Sequence, residues 1–312
     1  MSSSRSFGWA VAVALLLAVP ASAQTSEDRA YVGFSLARGT AIGTAGGKLH
    51  DRALVDLRVP LLPLFMGKFI LVPSVGFETH WLGLETQGPV EHLPETELRR
   101  RFYRVQLGLT LIRPLNPRWM LIAGTLGSTR TDFGRPFELG MDTSWVGYAM
   151  ASYKIGGDPG RRLMFGLVAL WPFDVLPVIP MVGFTYRKEP YIVEIGVPRL
   201  TLLRQFGDGL ELGLVGVFDQ QVFHARLPEE TWAQGAYYVR ATSLRFAPTL
   251  NVRLGSGGLW LSSSVGLDFL NDHALLDRHR DRLELGRIPT RPAPYARMSL
   301  SWRPPRRPAA SQ

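Results

Sequence analysis

The chain has 312 residues, no cysteine and a formal net charge of +9. Without cysteine there is no disulfide framework, no thiol nucleophile and no thiolate metal site. The positive balance does not select nucleic acid. Apart from Lys48, Lys68, Lys154 and Lys188 the 35 basic residues are Arg, scattered singly rather than clustered on one face.

Met1 to Ala23 reads as a secretory signal. Arg5 supplies a positive start, Gly8 to Val19 is an uncharged apolar run, and Ala21-Ser22-Ala23 is a small-x-small cleavage site before Gln24. The run is short for a membrane span. We therefore expect a mature chain from residue 24, with 1–23 removed.

From there the dominant signal is period-two alternation in segments of about ten residues, the length of strands tilted across a bilayer. Strands are expected near 30–38, 49–59, 68–80, 101–112, 118–128, 144–154, 162–171, 178–187, 190–197, 199–206, 209–219, 237–254, 259–270 and 295–302. In the second of these, Ala53, Val55, Leu57 and Val59 oppose Arg52, Asp56 and Arg58. In the fourth, Tyr103, Val105, Leu107, Leu109 and Leu111 oppose Arg104, Gln106, Gly108 and Thr110. The clearest case is Ser243 to Leu254. There Leu244, Phe246, Pro248, Leu250, Val252 and Leu254 oppose Ser243, Arg245, Ala247, Thr249, Asn251 and Arg253.

Leu163 to Phe184 is long and apolar enough to suggest a membrane helix, with Asp174 its one charge. Pro172, Pro177 and Pro180 each remove a backbone donor and clash with the preceding turn, so two strands around a Pro-rich turn fit better. In the last long connection, Asn271 to Leu285 suggests a short amphipathic helix with His273 and Asp277 one turn apart.

Connection lengths separate a membrane barrel from a soluble sandwich, which also alternates. "RPLNPR", "IGGDPGR", "KE", "GD" and "GSGG" are short and follow even-numbered strands. The segments 39–48, 81–100, 129–143, 220–236 and 271–294 are long and follow odd-numbered strands. All short turns then lie at one end, as in outer-membrane barrels. Trp81, Trp119, Trp145, Trp171, Tyr191, Tyr238 and Trp302 lie near strand ends, where girdle aromatics straddle lipid and water. The fold class is all-β: a closed antiparallel up-and-down transmembrane barrel over 24–302, about fourteen strands, or twelve if 190–197 and 199–206 do not both span. Closure pairs the last strand with Tyr31 to Ala37, turning Ala296, Met298, Leu300 and Trp302 to lipid. Pro304, Pro305 and Pro308 bar a further strand, so 303–312 is expected to hang free as a basic periplasmic tail.

"VIPMVGFTYRKEPYIVEIGVPRLTLLRQFGDGLELGLVGVF" (Val178 to Phe218) resembles a stretch of an uncharacterised, domain-of-unknown-function family of outer-membrane barrels of Gram-negative bacteria. The matching elements are Pro180, Gly183, Tyr186, the Glu189-Pro190 turn and Gly196-Val197-Pro198. The resemblance implies a barrel in the outer membrane and brings no catalytic residues.

The inward set is Arg52, Asp56, Arg58, Arg104, Gln106, Glu194, Glu211, Arg245, Asn251, Arg253, Asp268 and Arg297. Six basic residues against four acidic ones allow two readings. An Arg-rich wall favours anionic solutes in a water-filled pore; alternatively the charges pair and brace a narrow lumen. Met164, Val168, Leu170, Ile179 and Met181 also point inward, forming an apolar passage or ligand site, or packing against an inward-folded loop. No HExxH, GxSxG, Walker A or dinucleotide fingerprint occurs, so no enzyme, metal or cofactor is expected. A lipid-acting enzyme would need a Ser–His pair, for which Ser262, Ser264, His80 and His224 are the candidates. A soluble periplasmic sandwich is the third reading. The expected function is passage of small, in one reading anionic, solutes, or a purely structural barrel. The expected partners are outer-membrane lipid and, during biogenesis, the barrel-insertion machinery; no nucleic acid is expected.

Overall fold

The computed structural model describes residues 30–42, 47–86, 96–134, 136–171, 178–196, 198–225, 236–270, 272–289 and 291–303. Residues 1–23, read above as a secretory signal, and residues 304–312 lie outside the described residues. Along each strand, apolar side chains that alternate with polar ones must find lipid on one side and an interior on the other. The chain meets that demand by closing one antiparallel barrel of fourteen strands. They are β1 (Ala30–Ala37), β2 (Arg52–Pro60), β3 (Phe69–Thr86), β4 (Thr96–Pro114), β5 (Trp119–Thr131), β6 (Thr143–Lys154) and β7 (Arg161–Trp171). They continue as β8 (Val178–Lys188), β9 (Tyr191–Gly196), β10 (Arg199–Phe206), β11 (Leu210–His224), β12 (Tyr238–Leu254), β13 (Leu259–Asp268) and β14 (Ala293–Trp302).

β14 closes onto β1 with Ala30 opposite Trp302 and Ala37 opposite Tyr295. At this seam the alternation is complete. Tyr31, Ser35, Tyr295, Arg297, Ser299 and Ser301 are buried, while Val32, Phe34, Met298, Leu300 and Trp302 are exposed on the outer face. β9 and β10 are both full members of the ladder, which decides for fourteen strands over twelve. The described residues of 163–184 belong to two strands, β7 and β8, and none of them is helical.

The short turns are locally encoded. Asn116 Oδ1 accepts from the amides of Arg118 and Trp119, each at 2.9 Å. Asp158 accepts from the Gly160 amide at 2.8 Å and from Lys188 Nζ at 2.8 Å. Gly255 and Gly258 take φ of 67° and 82° in the β12–β13 turn, a region that a side chain would strain.

At the opposite end several segments read as loops are strand. β3 and β4 run on in register to Thr86 opposite Thr96, because continued pairing satisfies backbone groups that a loop would leave to water. The helix expected over 271–285 is replaced by a hairpin, Asp272–Leu276 and Arg282–Pro289. Asp272–Leu276 adds to the upper edge of β12 at Tyr238–Thr242. Asp277 Oδ1 closes the turn by accepting from the amides of His279 and Asp281, each at 2.8 Å. Edge pairing thus outweighs the weak helical pattern.

The upper part of β11 leaves the wall. Up to Val217 it pairs with β10, and the Phe218 amide still donates to the Pro198 carbonyl at 3.0 Å; beyond that its ladder is with β12 on one side. Its tip, His224, meets Thr131 of β5 in a parallel bridge. Above Val217, β11 therefore crosses the interior and separates a main lumen from a side compartment between its back face and the inner faces of β5–β8; below that level Arg199, Val215 and Val217 line one cavity with Glu78, Arg104 and Arg297.

Candidate functional site

The main lumen holds a belt of charged side chains, and they are paired. Arg297 donates to Asp56 at 2.8 and 2.9 Å through both Nη atoms, and Asp56 is fully buried. Gly33 on β1 makes room for this pair: a Cβ there would sit 2.3 Å from Arg297 Nη2 and 2.7 Å from Asp56 Oδ1. Arg104 binds Glu78 at 3.1 Å, Arg245 binds Asp219 at 3.0 Å, and Arg52 reaches Asp268 at 3.3 Å. Asp268 also accepts from Ser243 at 3.0 Å. Gln106 is buried on the same face. Nearer the short-turn end, Arg187 pairs with Glu194, and Glu211 accepts from Asn251 at 2.8 Å. Arg253 donates to the Ser256 carbonyl at 2.9 Å. Arg58 shares the inward face of β2 with Asp56, by strand alternation, and is partly exposed.

Sequence reasoning missed one member of four lumenal ion pairs. Glu78, Asp219, Arg187 and Arg303 are the second members of pairs whose first members it named. Their strands were legible, but which residues meet across a barrel is not a local property. Arg303 differs most from expectation. It does not belong to a free tail: it turns into the lumen, bonds Glu211 at 2.9 Å and stacks 4.4 Å from the Trp260 ring centroid. A guanidinium that finds both a buried carboxylate and an aromatic face is held there.

The lumen is capped at the long-loop end by an apolar core. Leu49, Phe102, Phe223, Val239 and Leu275 are almost wholly buried, with Leu82 and Leu283 packed against them. Phe102 stacks on Phe223 at 4.8 Å.

The side compartment is different in chemistry. Leu126, Val146 and Val168 pack with Tyr148, Leu170 and Met181. Ile179 packs with Leu170, Met181 and Phe218. A separate cluster of Ile192, Leu203 and Val215 with Val217 lies on the main-lumen side, where Val215 and Val217 share a cavity with Glu78 and Arg104. Val168, Leu170, Ile179 and Met181 therefore pack against one another and against Phe218 on the back of β11. At the top of the side compartment Arg130, Gln220 and His224 line a common cavity. His224 Nδ1 is 2.5 Å from Asp142 Oδ1.

Of the aromatic set, Trp145, Trp171, Tyr191 and Trp302 are exposed on the outer face. Trp119 joins them against Tyr153 at 4.8 Å. Trp81 carries the Arg101 guanidinium 4.5 Å above its ring. Tyr238 is a correction. It is 3% exposed, covered by Met141 and by Arg280 at 4.8 Å, so it never meets lipid. Neither His80 nor His224 bonds a serine: their partners are Glu78 and Asp142, and Ser264 bonds Thr249 at 2.8 Å. Among the described residues no group of His, Asp and Glu is arranged to hold a metal ion.

A closed antiparallel barrel with an apolar outer face, a polar braced lumen and turns sorted by length defines a transmembrane β-barrel of the outer-membrane type. Solved structures with a related fold include an outer-membrane channel from Pseudomonas putida F1. It is 14% identical, with 91% of this chain and 98% of that one covered at a TM-score of 0.40. A Pseudomonas aeruginosa FadL homologue is 11% identical over 89% and 90% of the two chains, TM-score 0.41. The P. putida toluene transporter TodX is 10% identical over 94% of each, TM-score 0.40. No family model matches the chain, the Val178–Phe218 stretch included, and no curated protein matches it.

Proposed function

We propose that the protein is an outer-membrane channel for small, partly apolar solutes, and that they travel through the side compartment rather than the main lumen. The observation that carries this reading is the division of the interior by β11. On one side lie ion pairs beneath an apolar cap, and on the other an apolar lining that runs from Leu126 through Leu170 to Ile179, Met181 and Phe218. Paired charges leave little free field to attract ions, and a dry cap opposes their entry. An apolar lining costs an apolar solute little. The long-loop end then faces outside and the short turns face the periplasm, as is general for such barrels.

The test is transport in proteoliposomes beside conductance in planar bilayers. The expected result is uptake of a small neutral aromatic such as toluene with little steady ion current. Ile179→Trp, which fills the compartment, should reduce that uptake at least several-fold. Large unitary currents with no effect of Ile179→Trp would place the path in the main lumen and defeat the proposal. A purely structural barrel is the second reading, favoured by the bracing pairs, and it predicts neither current nor uptake.

A further inference from the structure

We infer that the top of the side compartment is a binding site for the carboxylate of a small organic acid with an apolar body. As a statement about the solute carried, this rests on the channel reading above; as a binding site it stands on the following geometry. Arg130, the last inward residue of β5, is 9% exposed. It makes no ion pair or hydrogen bond among the described residues, and its Nε is buried without a partner. Glu78 and Asp219 act on it from a distance, but Arg104 and Arg245 occupy them. A buried guanidinium in this state is costly unless an anion completes it.

A second polar group aims into the same cavity. His224 is 5% exposed. Its Nδ1 is taken by Asp142, and its Nε2 is buried with no partner. Gln220 Oε1 is likewise buried and unpartnered. Arg130 comes from β5, and His224 and Gln220 from the back of β11, and they converge because β11 bridges to β5 at Thr131. With a proton on Nε2, the His224 ring donates to a carboxylate, and Asp142 balances the ring's charge. Arg130 supplies the fork that a carboxylate accepts. Val146, Leu170, Trp171 and Val222 line an apolar part of the cavity and Thr143, Ser144 and Arg280 a polar part, so an aryl or short alkyl body fits against the first with its carboxylate turned to the second.

The test is isothermal titration calorimetry on the purified full chain in detergent, with benzoate as probe. Benzamide tests the need for charge, and acetate the need for the apolar body. Benzoate is expected to bind at least tenfold more tightly than either. Arg130→Gln should weaken benzoate at least tenfold and leave benzamide unchanged, and His224→Asn should weaken it several-fold. Equal binding of benzoate and benzamide, or benzoate affinity that survives Arg130→Gln, would overturn the site. If Arg130→Gln does not insert, judged by heat-modifiable gel migration, Arg130→Lys replaces it. That change keeps the charge but loses the fork, and an affinity no lower than wild type overturns the site. Proteoliposome uptake separates the two proposals. Benzoate binding without uptake of any solute sinks the channel and leaves the site. Toluene uptake without benzoate binding sinks the site and leaves the channel.

Discussion

Replacing Asp56 by Asn removes one side of a bidentate pair in which Asp56 is fully buried and Arg297 is 7% exposed. The two Nη–Oδ contacts of 2.8 and 2.9 Å put the charge centres about 4 Å apart. At an effective dielectric constant of about 20, that separation is worth about 4 kcal/mol. Breaking such a pair on one side costs about 3–5 kcal/mol, because the other charge stays buried and uncompensated. Asp56→Asn keeps the shape, so the loss should fall in that range. Urea unfolding of the barrel in lipid vesicles, followed by tryptophan fluorescence, measures it. Adding Arg297→Met should recover most of the loss, since the uncompensated charge is gone. Gly33→Ala gives an independent check. Its new Cβ would strike both partners, so it should destabilise the wild type and cost far less in the Asp56→Asn, Arg297→Met background. A loss below about 1 kcal/mol for Asp56→Asn, or a Gly33→Ala cost equal in both backgrounds, would refute the bracing role assigned to this pair.

Three further outcomes are expected. Phe102→Ala empties part of the apolar cap and should cost about 3–5 kcal/mol while raising ion leak in planar bilayers; an unchanged leak would show that the cap does not seal the lumen. Truncation after Arg303 should leave the temperature of heat-modifiable migration unchanged, whereas Arg303→Ala should lower it by removing a charged hydrogen bond worth about 1.5–3 kcal/mol. Equal migration temperatures for the two would contradict the inward latch. In the β6–β7 turn, the Lys188 ammonium, with help from the Gly160 amide, holds the Asp158 carboxyl below its usual range. This carboxylate therefore stabilises the turn above about pH 4, and its contribution is lost as pH falls through its lowered value. Lys188→Gln should shift the Asp158 midpoint upward in a carboxyl NMR titration, and an unmoved midpoint would reject the pairing.

The fourteen strands could be read from the sequence because alternation and turn chemistry are local. Asn116 and Gly255 announce their turns without knowledge of the rest of the chain. What could not be read depends on partners far along it. Asp272–Leu276 is a strand because the edge of β12 is open above Thr242, and nothing within Asn271–Leu285 says so. Arg130 escaped notice because β5 was expected to end at residue 128 and runs to Thr131, and His224, named only as a partner for a serine, was not placed beside it because β11 was expected to end at residue 219 and runs five residues further. The functional division of the interior lies in those extra residues. Likewise the inward charges were legible one at a time by their parity. Whether they formed an open anionic path or a brace turned on Glu78 and Asp219, which are brought opposite them only by closure.

The Asp56–Arg297 pair joins residues 241 positions apart, on the two strands that flank β1. Until β14 docks, Asp56 has no Arg297, and every earlier hairpin of the chain can be in place without relieving it. An unsealed barrel therefore carries loose charges along both lips of its gap. Sealing brings them together, so closure adds a charged pair that no earlier hairpin can supply. A half-zipped seam has little to hold it, and the population should split between open sheets and finished cylinders, with few forms between.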